Sequence, residues 1–344
     1  MKKPNLNSQS ANLFLCLIGS LIILANGCKK ENNPVKIAPT PTPVTGPYLY
    51  VGGGTDTYTS IYWKISLSQA GAKIIRDTIA NAGPITSIVT SGSDVYMAAG
   101  TGGYFKNSSF VPVKGAASIK DIALSGTNIY TAGQDSSYNA AAYWDNNTET
   151  VLGMPLGGLQ AGIGFIGISG IAASGNNVFV SGYSEESVLI TKDFYGYLWS
   201  NGHVQSIGGH QPGFSAPIVG VAISGSDIYV AGDSLNTGGG YWKNGVFTSI
   251  NNGNFSPASI ATFAGDTYIT GSAGGQGAYW KNGILINFMP GNCVVVNAVA
   301  LNGTDLYVLG SDTNYNKMVW KNGTLFATLG PFSILLPTCI AIGN

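Results

Sequence analysis

The chain has 344 residues, of which 44% are apolar and only 9% charged, with 49 glycines. Its 16 basic and 16 acidic residues leave no net charge, and no basic run stands beyond Lys29-Lys30. This excludes the phosphate-neutralising surface that nucleic-acid binding requires. Low charge with abundant Gly, Tyr, Thr, Ser and Asn points to strands and turns rather than helices.

The chain opens with a targeting pattern. Lys2 and Lys3 precede an apolar core, LFLCLIGSLIIL at 13–24, and the small residues Ala25 and Gly27 lead to Cys28. Twelve apolar positions are too few to span a bilayer as a mature helix. The stretch ILANGC resembles the lipobox of bacterial lipoproteins, with Leu24 one place further from the cysteine than is usual. The resemblance implies a signal peptide over 1–27 and lipidation of Cys28, which would anchor the protein to the lipid bilayer as a palmitate-bearing lipoprotein. Cys16, inside the apolar core, lacks the small residues an acceptor needs before it. Residues 28–45 carry Pro34, Pro39, Pro41 and Pro43 and read as an extended tether. At about 3.1 Å per residue it would hold the folded part about 50 Å from the lipid.

From residue 46 the sequence repeats. Gly-x-x-x-Tyr/Phe-x-x-Gly recurs as GPYLYVGG (46–53), GTNIYTAG (126–133), GNNVFVSG (175–182), GSDIYVAG (225–232) and GTDLYVLG (303–310). GSDVYMAAG (92–100) carries one extra residue and GDTYITG (265–271) lacks one, making seven copies. Each copy is followed by an aromatic: Trp63, Phe105, Trp144, Trp199, Trp242, Trp280 and Trp320, spaced a little over forty residues apart on average. That period suits four-stranded propeller blades.

The fifth unit shows how one blade reads. VAIS is an inner strand, GSD a turn, IYVAG a second strand, YWK a third, and VFTSI a fourth. Asn244-Gly245 joins the last two, since a type I′ hairpin turn needs positive φ at both central residues. The inner strands centre on a small residue at Ala123, Ala172, Ala222, Ala261, Ala300 and Ala341, with Val89 the exception. Crowding around a central axis favours that.

The first unit lacks its inner strand, whereas CIAIGN at 339–344 matches one and then stops. The fold class expected is therefore all-β: a seven-bladed β-propeller of four-stranded blades over 46–344, closed by the C-terminal strand pairing into blade 1. The pattern is similar to kelch-type and other short β-propeller repeats in bacterial lipoproteins, especially those of Bacteroidota, although most blades here lack the kelch Gly-Gly pair. The resemblance implies the cell envelope, an outer-membrane lipoprotein on the periplasmic or surface-exposed side. Asp77-Thr78-Ile79 and Asp233-Ser234-Leu235 look like the O-glycosylation tripeptide of that phylum.

Chemistry-bearing residues are sparse. His203 is expected in a hairpin turn and His210 in the next loop, without the partners of a tetrahedral metal set. Cys293 and Cys339 lie near the starts of two inner strands, where a disulfide would staple the closure; two buried thiols are the alternative. The aspartates and asparagines of the repeated turns (Asp94, Asn128, Asn177, Asp227, Asp305) read as turn residues rather than ligands. The longest insertion, YSEESVLITKDFYGY in blade 4, is expected to be a rim loop whose Glu185, Glu186, Asp193, Phe194 and Tyr195 contact a partner. No nucleophile elbow, phosphate loop or convincing pair of carboxylates stands out.

These features favour a non-enzymatic binding or scaffold module for protein or glycan, monomeric, without cofactor or metal. The alternative is a polysaccharide- or peptide-processing enzyme, a lyase or hydrolase on a propeller scaffold. A central pocket with clustered acids, His or Tyr would favour the enzyme.

Overall fold

A computed structural model describes residues 46–343 apart from 55–58, 69–73, 80–81, 138–139, 154–162, 189–190, 213–217, 235–236, 251–253, 291–292 and 332–335. The expected signal segment 1–27, Cys28 and the tether 28–45 lie outside the described residues. Every regular element described is a β-strand, and the strands form seven four-stranded antiparallel sheets. The inner strands are Leu336–Gly343, Ser87–Ser91, Ala116–Ser125, Ile163–Ser174, Ile218–Ser224, Ser256–Phe263 and Cys293–Asn302. Each packs beside the next and the last beside the first, closing a ring. The closure expected from the chain ends is made: Tyr48–Gly54 pairs with Leu336–Gly343, in register from Tyr48↔Gly343 to Gly52↔Cys339. A side chain reinforces it, with Thr90 Oγ1 of blade 2 donating to Ile342 O at 2.5 Å.

Each part of the repeat has a physical reason. The small residue of the inner strand stands opposite the aromatic of the second: Ala123↔Tyr130, Ala222↔Tyr229, Ala300↔Tyr307 and Val89↔Tyr96. A small side chain leaves room for the ring across the ladder. The glycine ending the second strand answers to close approach. A methyl at Gly133 would lie 1.9 Å from Ser118 O, and one at Gly310 would lie 2.3 Å from Val295 O.

The Lys-Asn-Gly phrase is a clamp as well as a turn. Asn244 and Gly245 have φ of 50° and 84°. Asn244 Oδ1 accepts from Ile228 N–H at 2.9 Å while its Nδ2 donates to Asp227 at 2.8 Å. Lys243 closes on the same carboxylate at 2.7 Å and lies over the Tyr229 ring. Blades 2, 6 and 7 repeat this with Asp94–Lys106, Asp266–Lys281 and Asp305–Lys321. In blade 4 Asn177 serves Asn201 in the same way, and in blade 3 Asn128 Nδ2 donates to Tyr130. The repeated aspartates and asparagines are therefore turn fasteners, as their sequence position suggested.

The third-strand aromatics hold the blades together. The buried apolar residues described fall into seven clusters, one at each interface between neighbouring blades. Each contains one of the seven aromatics, packed against the preceding blade. Trp63 shares a cluster with Tyr307, Leu309 and Val319 of blade 7. Trp199 donates from Nε1 to Gly153 O of blade 3 at 2.7 Å.

The blade 4 insertion differs from expectation. It is a β-ladder and not a loop: Asn177–Val188 and Thr191–Ser200 stay paired through Glu185↔Phe194 and Glu186↔Asp193. His203 opens the outer strand His203–Pro212 and His210 lies within it, paired with Tyr195, instead of occupying a turn and a loop. The Cys293–Cys339 disulfide is not made; both are free, buried thiols. Cys293 packs into the layer between blades 6 and 7 and Cys339 into that between blades 1 and 2, so the two sulfurs serve different interfaces.

Candidate functional site

The inner strands do not run straight. A β-bulge interrupts pairing at Lys120, Ser169, Val219, Ala258, Asn297 and Thr338. Thr86 holds the same place in blade 2, its N–H bonded to Ala98 O just before the ladder begins. Each lies three positions before the small residue of its strand. A bulge re-aims the extra side chain, and all seven line one axial cavity of about 470 Å³. That volume is within the roughly 300–1,000 Å³ typical of small-molecule sites.

The seven bulge residues divide by polarity. Going round the ring, Asn297, Thr338, Thr86, Lys120 and Ser169 form a polar arc over five consecutive blades, and Val219 with Ala258 forms an apolar arc over the other two. Much of the polar arc is fixed by bonds between blades. Thr338 Oγ1 donates to Ile85 O. Thr86 Oγ1 donates to Lys120 O at 2.6 Å, and Ser169 Oγ to Ile218 O at 2.7 Å. These hold backbone and hydroxyls in place before any ligand arrives, which lowers the ordering cost of binding.

The residue after each bulge is small in the other blades (Ser87, Gly170, Gly220, Ser259, Ala298, Cys339) but is Asp121 in blade 3. Burial pushes its carboxyl above the usual range, partly offset by bonds from Ser87 and from the Ile171 and Ile122 N–H groups. Ile171 N donates to Oδ2 at 2.7 Å and Ile122 N to Oδ1 at 2.8 Å. Asp121 thus ties blade 3 to blade 4, with both oxygens engaged. Its neighbour Lys120 is exposed to the cavity and enters no salt bridge among the described residues. Cys339 also lines the wall, with burial pushing its thiol up to about 12, far from a reactive thiolate.

The insertion residues back this wall. Tyr183, on the extended second strand of blade 4, lines the cavity, and burial, then the Glu185 charge, raises its hydroxyl. Phe194 is buried, its ring 5.8 Å from that of Tyr183, and Tyr195 is half-buried against the layer between blades 3 and 4. Phe194 is thus core of the extended blade, while Tyr195 stays partly exposed. The side chains of Glu186, Asp193 and His210 lie outside the description. Among the described residues no His, Cys, Asp and Glu cluster has metal-holding geometry. Of the two glycosylation-like tripeptides, Thr78 is exposed on an outer strand and Ser234 is half-buried.

Sequence reading missed Thr86, Lys120, Asp121 and Asn297 as a group. The available signal was a column of changing residues at a fixed offset from the small inner residue.

Seven four-stranded blades around a channel make this a seven-bladed β-propeller. No protein-family model matches the chain, and no curated protein matches it. Among solved structures it is similar to the β-propeller domain of the Trilobed protease from Pyrococcus furiosus, at 12% identity and TM-score 0.49, covering 83% of this chain and 99% of that one. It is also similar to the Pyrococcus horikoshii acylaminoacyl peptidase, at 13% identity and TM-score 0.47, covering 82% of this chain and 52% of that one. The computationally designed Ika8 protein matches at 13% identity and TM-score 0.43, covering 79% of this chain and 80% of that one.

Proposed function

We propose that the protein is a binding module of the cell envelope, lipid-anchored through Cys28, that holds a glycan in its axial channel. The observation that carries this reading is the division among the seven bulge residues: polar from Asn297 round to Ser169, apolar at Val219 and Ala258. A sugar ring has the same division, with hydroxyls at its edge and C–H groups on its face. The interblade bonds of Thr86, Ser169 and Thr338 support a site that is organised in advance. Asp121, the one carboxylate in the wall among the described residues, is occupied as a fastener, which supports binding over hydrolysis.

The test is calorimetric titration of the purified full-length protein with neutral, N-acetylated and uronic-acid oligosaccharides. Saturable binding of at least one class, at one site per chain, is expected; no heat from any class would overturn the glycan reading. The anchor is tested separately by palmitate labelling in cells, where wild type should carry label and Cys28→Ala none; equal labelling would remove Cys28 as the acceptor.

A further inference from the structure

Lysines elsewhere on the ring show what an occupied ammonium looks like in this fold. Lys106, Lys243, Lys281 and Lys321 each close on an aspartate at 2.6–2.7 Å. Lys64 has Tyr48 where those blades have aspartate, and its ammonium lies 3.9 Å from the centre of that ring. Lys120 breaks the pattern. It occupies a bulge where the other blades place Thr, Ser, Val, Ala or Asn. Thr86 holds its carbonyl and Asp121 beside it is already bonded by three donors, yet its ammonium has no salt bridge among the described residues. Its charge also acts on the adjacent Asp121 carboxyl, and a cation lining a cavity draws anionic groups toward it. Asn297, on the blade 7 side of the same polar arc, carries a side-chain carbonyl oxygen that is buried and receives no hydrogen bond. That oxygen is closed off from the channel, so the group that asks for a partner is the Lys120 ammonium, and a ligand that answers it brings an anionic group.

We propose that the channel selects an acidic sugar, a uronate whose carboxylate is held by Lys120. This rests on the glycan reading above and narrows it. Ammonium–carboxylate bonding is charge-assisted and directional, whereas a neutral sugar leaves Lys120 unanswered. Lys120 is exposed and its bond to blade 2 is made by its backbone carbonyl, so replacing the side chain leaves that bond in place.

The experiment compares matched pairs, galacturonate with galactose and glucuronate with glucose, each titrated into the full-length wild type, Lys120→Met and Lys120→Arg. At least one uronate is expected to bind wild type about tenfold to a hundredfold more tightly than its neutral partner. Lys120→Met should erase that preference and Lys120→Arg restore part of it, with the unliganded melting temperature of both variants near wild type. The preference should also shrink as salt rises. Equal binding of acid and neutral sugar, or a preference that survives Lys120→Met, would overturn the inference while leaving the glycan reading in place. Binding of neutral or N-acetylated oligosaccharides with no uronate binding would do the same. Silence from every sugar would overturn both.

Discussion

Asp233 and the clamp aspartates have pKa values displaced in opposite directions, and the difference is readable in stability. Asp94, Asp227, Asp266 and Asp305 are held below the usual carboxylate range by the Lys and Asn that close on them. A depressed carboxylate stabilises the fold above its unfolded value of about 4 and loses that contribution as pH falls through the folded value. Asp233 has no such partner among the described residues, and burial raises it from 3.8 to about 6. The folded state then keeps a proton that the unfolded state has released, so stability falls as pH climbs from about 4 to about 6. Asp233→Asn should therefore raise the melting temperature at pH 7 and leave it nearly unchanged at pH 4, seen in thermal scans across that range. A variant that melts lower at pH 7 would show that the Asp233 charge is stabilising. None of this was legible from sequence: Asp227 and Asp233 are both aspartates of one strand, and only the packing around them separates their behaviour. Asn244-Gly245 was legible, because positive φ is a local demand that two residue types meet cheaply.

At the level of strands, what the sequence showed was period and what it hid was register. Blades, turns and the seven aromatics all emerge from phrases that recur in the same order in every unit. The bulges do not, because one inserted residue changes the parity of a strand without altering its composition. Lys120 and Asp121 both line the channel although strict alternation would put neighbours on opposite faces. The insertion of blade 4 was hidden for another reason: SEESVLITK carries no clean alternation, yet residues 184–188 and 191–192 extend the strands beside them and pair in the ladder. The aromatic of strand three can be tested as the fastener between blades. Trp280 is fully buried, 4.0 Å from the Phe255 ring, within the layer between blades 5 and 6. Trp280→Ala should cost about 3–5 kcal/mol in denaturant unfolding. A loss under about 1 kcal/mol would mean the layer repacks around the gap and does not depend on the indole.

For the whole molecule, ring closure and channel come from the same strands. The ends were readable as complementary because GPYLYVGG begins without an inner strand and CIAIGN supplies one. What the ring encloses was not readable, since the channel wall takes two to four residues from each of seven blades far apart in sequence. The central claim is that this channel is where the protein binds. The most direct measurement is glycan titration of Ala258→Trp, which fills the apolar arc of the cavity with an indole, beside wild type under the same conditions. A folded variant with wild-type circular dichroism should give no binding heat where wild type saturates at one site per chain. Undiminished binding by the plugged ring would place the glycan site elsewhere on the protein and contradict the assignment.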